Sequence, residues 1–161
     1  MLREKSLVPL SRQHQHALAL CVRVDRAALT EQSDLAAWQT EIAQHFRREI
    51  QFHFAAEEQH LFPAARVFAE LNPVVEELLS DHAWLRTRFA EAEAGKMSAA
   101  GISEFAQRLS AHIRVEERRL FERLQKLMSP RELASLGEQL DVALQGVEQA
   151  CILPAATVRK G

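Results

Sequence analysis

The sequence predicts an all-α fold, four long helices in a bundle and an additional C-terminal helix, and three observations carry that expectation. Ala, Leu, Glu, Arg and Gln are abundant while the chain has only five Gly, five Pro and no Tyr, so it is rich in helix formers and poor in hairpin chemistry. Apolar residues recur every three or four positions through long stretches. Polar or Pro-containing breaks separate those stretches. With 161 residues, 47% of them hydrophobic, the chain reads as a single domain over 1–161. The bundle covers about 7–128, the added helix about 130–149 and a loose tail 150–161.

The first helix is read from Ser11, on the stripe Leu10, His14, Ala17, Leu18, Cys21 and Ala28, before a polar break at 30–34. Ser33 and Asp34 can cap the second, whose stripe passes Leu35, Trp38, Ile42, Phe46, Ile50, His53, Glu57 and Leu61 to Phe62. Pro63 is expected to end or kink it. Asn72 and Pro73 open the third helix, Asn as cap and Pro at the first helical position, and it runs to about Ala94. A linker at 95–101 follows. Ile102, Phe105, Leu109, His112, Val115, Glu116 and Leu120 then line the fourth helix, which ends near Met128. Ser129 and Glu132 have the spacing of a capping box, so a fifth helix starts at once, with Leu133, Leu136, Leu140, Leu144 and Val147 on one face. That face is expected to pack on its own bundle, the alternative being a homodimer or a separate protein partner through this helix.

The formal net charge of -2, with Lys and Arg spread along the chain, gives no electrostatic footprint for nucleic acid or an anionic membrane. No apolar run approaches the ~20 residues of a membrane span, and Arg3, Glu4 and Lys5 precede a broken apolar stretch unlike a signal peptide. A cytoplasmic location is expected. Cys21 and Cys151 lie far apart without C-x-x-C spacing, which suits two inert core thiols better than a disulfide framework or a thiolate metal site.

One repeat carries chemistry. Residues 53–62 and 112–121 both read H-x-x-x-E-E-x-x-L-F. Residues four apart on a helix are offset by about 40° and about 6 Å along the axis, so each helix offers a histidine and a glutamate, His53 with Glu57 and His112 with Glu116, to one point. His14 lies on the apolar stripe of the first helix, and His82 is flanked by Leu78, Leu79 and Leu85 on the third. Burying four imidazoles and two carboxylates without compensation would be very costly, and a metal removes that cost. Nitrogen and oxygen ligands without thiolate suit iron, manganese or zinc, and six ligands exceed what one tetrahedral zinc uses. Two metals fit the count better.

The ordered series His14, His53-x-x-x-Glu57, His82, His112-x-x-x-Glu116, spanning roughly residues 7 to 128, resembles the haemerythrin-like, or HHE cation-binding, family. The resemblance implies an up-down-up-down bundle around two iron ions joined by an oxo or hydroxo bridge. Glu57 and Glu116 would bridge the metals, and His14, His53, His82 and His112 would be terminal ligands; zinc or a single metal is the alternative content. The oxygen-carrying haemerythrins differ in having a second histidine on helix three and H-x-x-x-x-D on helix four. Here the residues four from His82 are Leu78 and Arg86, and glutamates stand at both Glu116 and Glu117. Counting about six places per iron leaves about two open. An open place can take oxygen, nitric oxide, peroxide or water, which favours sensing or redox chemistry over transport.

His16, His45 and His60 fall outside the series and are read as surface residues, although His60 could fill an open place and His16 competes with His14. Glu58 and Glu117 read as supports behind the ligands or as surface groups, each a fallback should the adjacent glutamate point away, and the alternative for His82 is a solvent-touching histidine with Asp81 as its local partner. Glu57-x-x-His60 also fits the ferritin-like pattern, but Arg119 and Leu120 deny it a matching pair on helix four. Three functions follow: a di-iron module that binds or senses a diatomic molecule or the iron and redox state; a di-iron enzyme reducing peroxide or nitric oxide or repairing iron–sulfur clusters; and an interaction module stapled by metal. No catalytic side chain is assigned.

Overall fold

The structure, a computed structural model, describes residues 2–151, with side chains described to residue 145. The tail expected at 150–161 lies outside them except for its first two residues, as do the side chains of Val147 and Cys151. Among the described residues there is no strand and there are five helices: α1 (Val8–Ala27), α2 (35–66), α3 (Asn72–Glu93), α4 (99–127) and α5 (Pro130–Cys151). Short 3₁₀ turns at Lys5–Leu7 and Ala69–Leu71 lead into α1 and α3. Short connections make successive helices antiparallel, and α1 packs on α4 while α2 packs on α3. Arg3 ties the start of α1 to the end of α4 by donating to Gln125 Oε1 at 2.9 Å. At the opposite end, Gln39 Oε1 of α2 accepts from the Met97 N–H at 2.7 Å.

The helix ends show which local signals decided the fold. Asp34 caps α2 by accepting from the Ala37 N–H at 3.0 Å. Asn72 does not cap α3: the 3₁₀ turn runs straight into the helix and leaves Asn72 helical, at φ -54° and ψ -45°, whereas a cap needs non-helical backbone. α3 closes with Lys96 N–H on the Glu91 carbonyl and Gly95 N–H on the Ala92 carbonyl, a Schellman pair that needs the φ of +67° at Gly95. α4 begins at Ala99, three residues before Ile102, because Ser98 Oγ accepts from the Gly101 N–H at 3.0 Å. The capping box of α5 forms as read, Ser129 and Glu132 each accepting from the other's backbone N–H.

α2 is continuous through Pro63 to Arg66. A π-turn at Glu57–Leu61 precedes it, with the Phe62 N–H reaching back to the Glu57 carbonyl, and Pro63 falls at the start of the α-helical turn that resumes. Two more π-turns occur, at Phe46–Ile50 in α2 and Glu116–Phe121 in α4.

The core is two apolar slabs. Leu10, Leu61, Phe62, Val75, Leu78 and Leu124 build one, which α5 closes with Leu136, Leu140 and Leu144. Leu20, Ile42, Phe54, Phe89, Phe105 and Leu109 build the other. The apolar face of α5 is thus covered by its own chain. Cys21 is a buried free thiol whose burial pushes its pKa up, as an inert core cysteine requires. Among the described residues no helix is long and apolar enough to cross a membrane.

α5 approaches the start of the chain so closely that a Cβ at Gly137 would stand 2.7 Å from Ser6 Oγ and 3.1 Å from Ser6 Cα. Gly137→Ala gains about 1 kcal/mol of helix preference, but overpacking of this kind costs about 1–3 kcal/mol. The melting temperature is expected to fall by about 2–4 °C for a net loss near 1 kcal/mol. A rise on thermal denaturation would mean that α5 docks less tightly.

Candidate metal centre

Between the two slabs lie His14 of α1, His53 and Glu57 of α2, His82 of α3, and His112 and Glu116 of α4, all with 0–2% of their surface exposed. They form two four-residue sets: His14, His53, Glu57 and Glu116 in one, Glu57, His82, His112 and Glu116 in the other. Within each set the ligand atoms stand within 4.8 Å of one another, and both glutamates belong to both sets. His14 Nε2 is 3.1 Å from His53 Nε2 and 3.0 Å from Glu116 Oε2, and His53 Nε2 is 3.0 Å from Glu57 Oε1. In the second set His82 Nε2 is 3.3 Å from Glu57 Oε2 and His112 Nε2 is 3.4 Å from Glu116 Oε1. Ligand atoms ~2.1 Å from one ion and at right angles stand ~3.0 Å apart, so these spacings are those of shared coordination.

Both oxygens of Glu57 and of Glu116, and the Nε2 atoms of His82 and His112, are buried without a hydrogen-bond partner. Each orphan of this kind costs about 1–3 kcal/mol or more when charged. Cations between the glutamates and the imidazoles satisfy all of them, and the donor set, four nitrogens and four carboxylate oxygens, fits such ions chemically.

The outer ring nitrogens are held from behind. His14 Nδ1 faces Glu117 Oε1 at 2.7 Å, His82 Nδ1 faces Glu58 Oε1 at 2.7 Å, and His53 Nδ1 faces Gln13 Oε1 at 2.8 Å. An Nδ1–H that donates to such an acceptor leaves the lone pair on Nε2, aimed inward. Asp81, the local partner in the solvent-exposed alternative for His82, instead lies 3.5 Å from His112 Nδ1 and takes two hydrogen bonds from Arg108. The reason is geometric: neighbours on a helix point about 100° apart, so Asp81 turns toward α4 while His82 points inward. Rings fix two of the imidazoles. Phe54 stacks on His82 with centroids 3.8 Å apart, and Phe121 stacks on His14 at 5.6 Å.

The repeated Glu-Glu pair divides its labour as read, and the structure adds which histidine each supporting glutamate holds. Glu57 and Glu116 each begin a π-turn and point inward; Glu58 and Glu117 each reach across to the Nδ1 of a histidine on the neighbouring helix. π-turns cluster at functional sites because the wider turn re-aims side chains. Their one sequence signal is that E-E-x-x-L-F occurs in both helices.

The remaining histidines stay outside both sets. His16 is exposed and pairs with buried Glu49 at 2.9 Å, toward which His45 Nε2 also points at 3.5 Å. His60 is half-buried on the outer side of α2. Phe52, the residue before His53, is 44% exposed.

Fold and site together define a helical-bundle metal-binding protein with a nitrogen and oxygen centre. The chain belongs to the hemerythrin HHE cation binding domain family, whose sequence model matches residues 8–124. No curated protein and no solved structure matches it.

In the absence of metal, the electrostatics of the ring favour protons on His14 and His82. Burial alone would lower the pKa of His14, but Glu116 and Glu117 outweigh it and raise it to about 10. Burial likewise opposes, and Glu57 and Glu58 override, at His82, which rises to about 9. Burial would raise Glu57, yet His53 and His82 hold it well below the usual carboxylate range. Glu58, bonded to His82, and Glu117, whose burial is outweighed by His14 and Ser11, both fall to about 2. Because the two imidazole values lie above 6.5, their contribution to the metal-free fold is complete below pH 6.5 and lost as pH rises through 9 to 10. Metal must expel these protons from Nε2, so loading at pH 7 is expected to release about two protons, one each from His14 and His82. Affinity should therefore weaken as pH falls. Calorimetry in buffers of different ionisation enthalpy measures the count, and a release near zero would contradict the assignment.

Proposed function

We propose that the six residues hold two iron ions, with Glu57 and Glu116 shared and His14 with His53, and His82 with His112, serving one ion each. The centre then binds or senses a small molecule such as oxygen or nitric oxide, or responds to iron supply and redox state. The observation that supports this is the closed ring: its members are 0–2% exposed, and each four-residue set gives an ion two nitrogens and two oxygens. With about six places per iron, room remains at each ion for a bridge and a ligand of a few atoms.

Bound there, iron supplies a redox-active Lewis acid. The chain's own part is to orient the imidazoles through Nδ1, to offset part of the cations' charge with two buried carboxylates, and to exclude bulk water with Phe54, Phe62 and Phe121. Burial of this kind selects for ligands of a few atoms.

Protein purified without chelator and loaded anaerobically with ferrous iron is expected to hold about two irons per chain by mass spectrometry. Nitric oxide or oxygen should change its 300–600 nm absorption saturably. His53→Ala and Glu116→Ala should reduce metal content while leaving helical circular dichroism in place. One iron per chain, or a spectrum indifferent to both gases, would overturn the proposal, and sustained peroxide consumption would move it to the enzyme class.

A further inference from the structure

The two sets of inner ligands match in kind, two imidazoles each and the same two carboxylates, so a chemical difference between the metal positions has to come from the groups behind them. In each set one imidazole is backed by a firm carboxylate: Glu117 behind His14 and Glu58 behind His82, both at 2.7 Å. Those two also match further out, since Arg3 pairs with Glu117 and Arg86 donates to Glu58. The second imidazole breaks the symmetry. His112 Nδ1 faces the Asp81 carboxylate at 3.5 Å, longer than a hydrogen bond, and that carboxylate is itself paired with Arg108, as Glu117 is with Arg3 and Glu58 with Arg86. His53 faces the neutral amide oxygen of Gln13 at 2.8 Å. Gln13 is 7% exposed, which leaves little room for water to stand in for it.

We propose that the two metal positions are unequal and that Gln13 makes them so: the ion held by His14 and His53 is the labile one, and the ion held by His82 and His112 is retained. The inference rests on the two-metal reading. A carboxylate behind an imidazole draws its Nδ1 proton and raises electron density at Nε2, strengthening the bond to a cation; a neutral amide fixes the same tautomer and ring orientation but adds less density. Gln13 is therefore a positioning residue acting through His53.

Cobalt(II), which absorbs in the visible and stays divalent in the absence of oxygen, is the probe. Protein holding two cobalt ions is mixed anaerobically with excess strong chelator, and the absorbance is expected to decay in a fast and a slow phase. Gln13→Glu should slow the fast phase about 10–100-fold and leave the slow one in place. Asp81→Asn should speed the slow phase toward the fast one, which a merely structural role for either residue would not produce. Gln13→Glu that keeps two cobalt ions but moves neither phase, or both equally, overturns the inference. Should that variant not fold, an unmoved slow phase in Asp81→Asn overturns it instead. A wild-type chain that binds fewer than two cobalt ions overturns the two-metal reading and this inference together, whereas two ions with unmoved phases overturn this inference alone.

Discussion

Glu57 and Glu116 sit at the middle of a helical bundle with no exposed surface and no hydrogen-bond partner for any of their four oxygens. Two uncompensated carboxylates in such surroundings would cost several kcal/mol each even after relaxation. Four imidazoles converge on them from four helices, so compensation requires either cations between the groups or protons on the rings. The carboxylates beside His14 and His82 raise both imidazoles and so favour the second arrangement in the metal-free chain. The inward Nε2 atoms, set by acceptors at Nδ1, show that the ring is built for the first.

That constraint explains features of the fold that packing alone does not. The apolar core is divided, because a polar ring has to be insulated above and below, and α5 with its leucine face closes one of the slabs. The backbone departs from regular α-helix at the two shared glutamates, where each π-turn lets adjacent glutamates serve different partners: one the centre, the other the back of a histidine on a neighbouring helix. Phe54 and Phe121 then lock rings that an aliphatic wall would leave free to rotate.

Much of this was legible in the residues. The i, i+4 pairing of His53 with Glu57 and His112 with Glu116 survives in the folded helices, and the stripe Leu10, Ala17 and Cys21 distinguishes His14, now buried, from His16, now exposed. Capping chemistry located the start of α2 at Asp34 and of α5 at Ser129, because a side-chain oxygen three residues before a free N–H is a local signal. It failed at Asn72, where a preceding 3₁₀ turn displaced the cap, while Ser98 caps α4 within the stretch 95–101 that reads as linker. The π-turns and the pairing of Asp81 with His112 were not legible. Both depend on where a neighbouring helix lies, which helical periodicity does not encode.

The central claim is that one ring of six residues holds two metal ions across shared carboxylates. Anomalous diffraction at the iron edge, on crystals of iron-loaded protein kept free of chelator, tests it most directly. The account predicts two peaks about 3.5–4 Å apart, one beside His14 and His53, the other beside His82 and His112, both within reach of Glu57 and Glu116. A single peak, or a peak beside His16 and Glu49 with nothing in the ring, would contradict it.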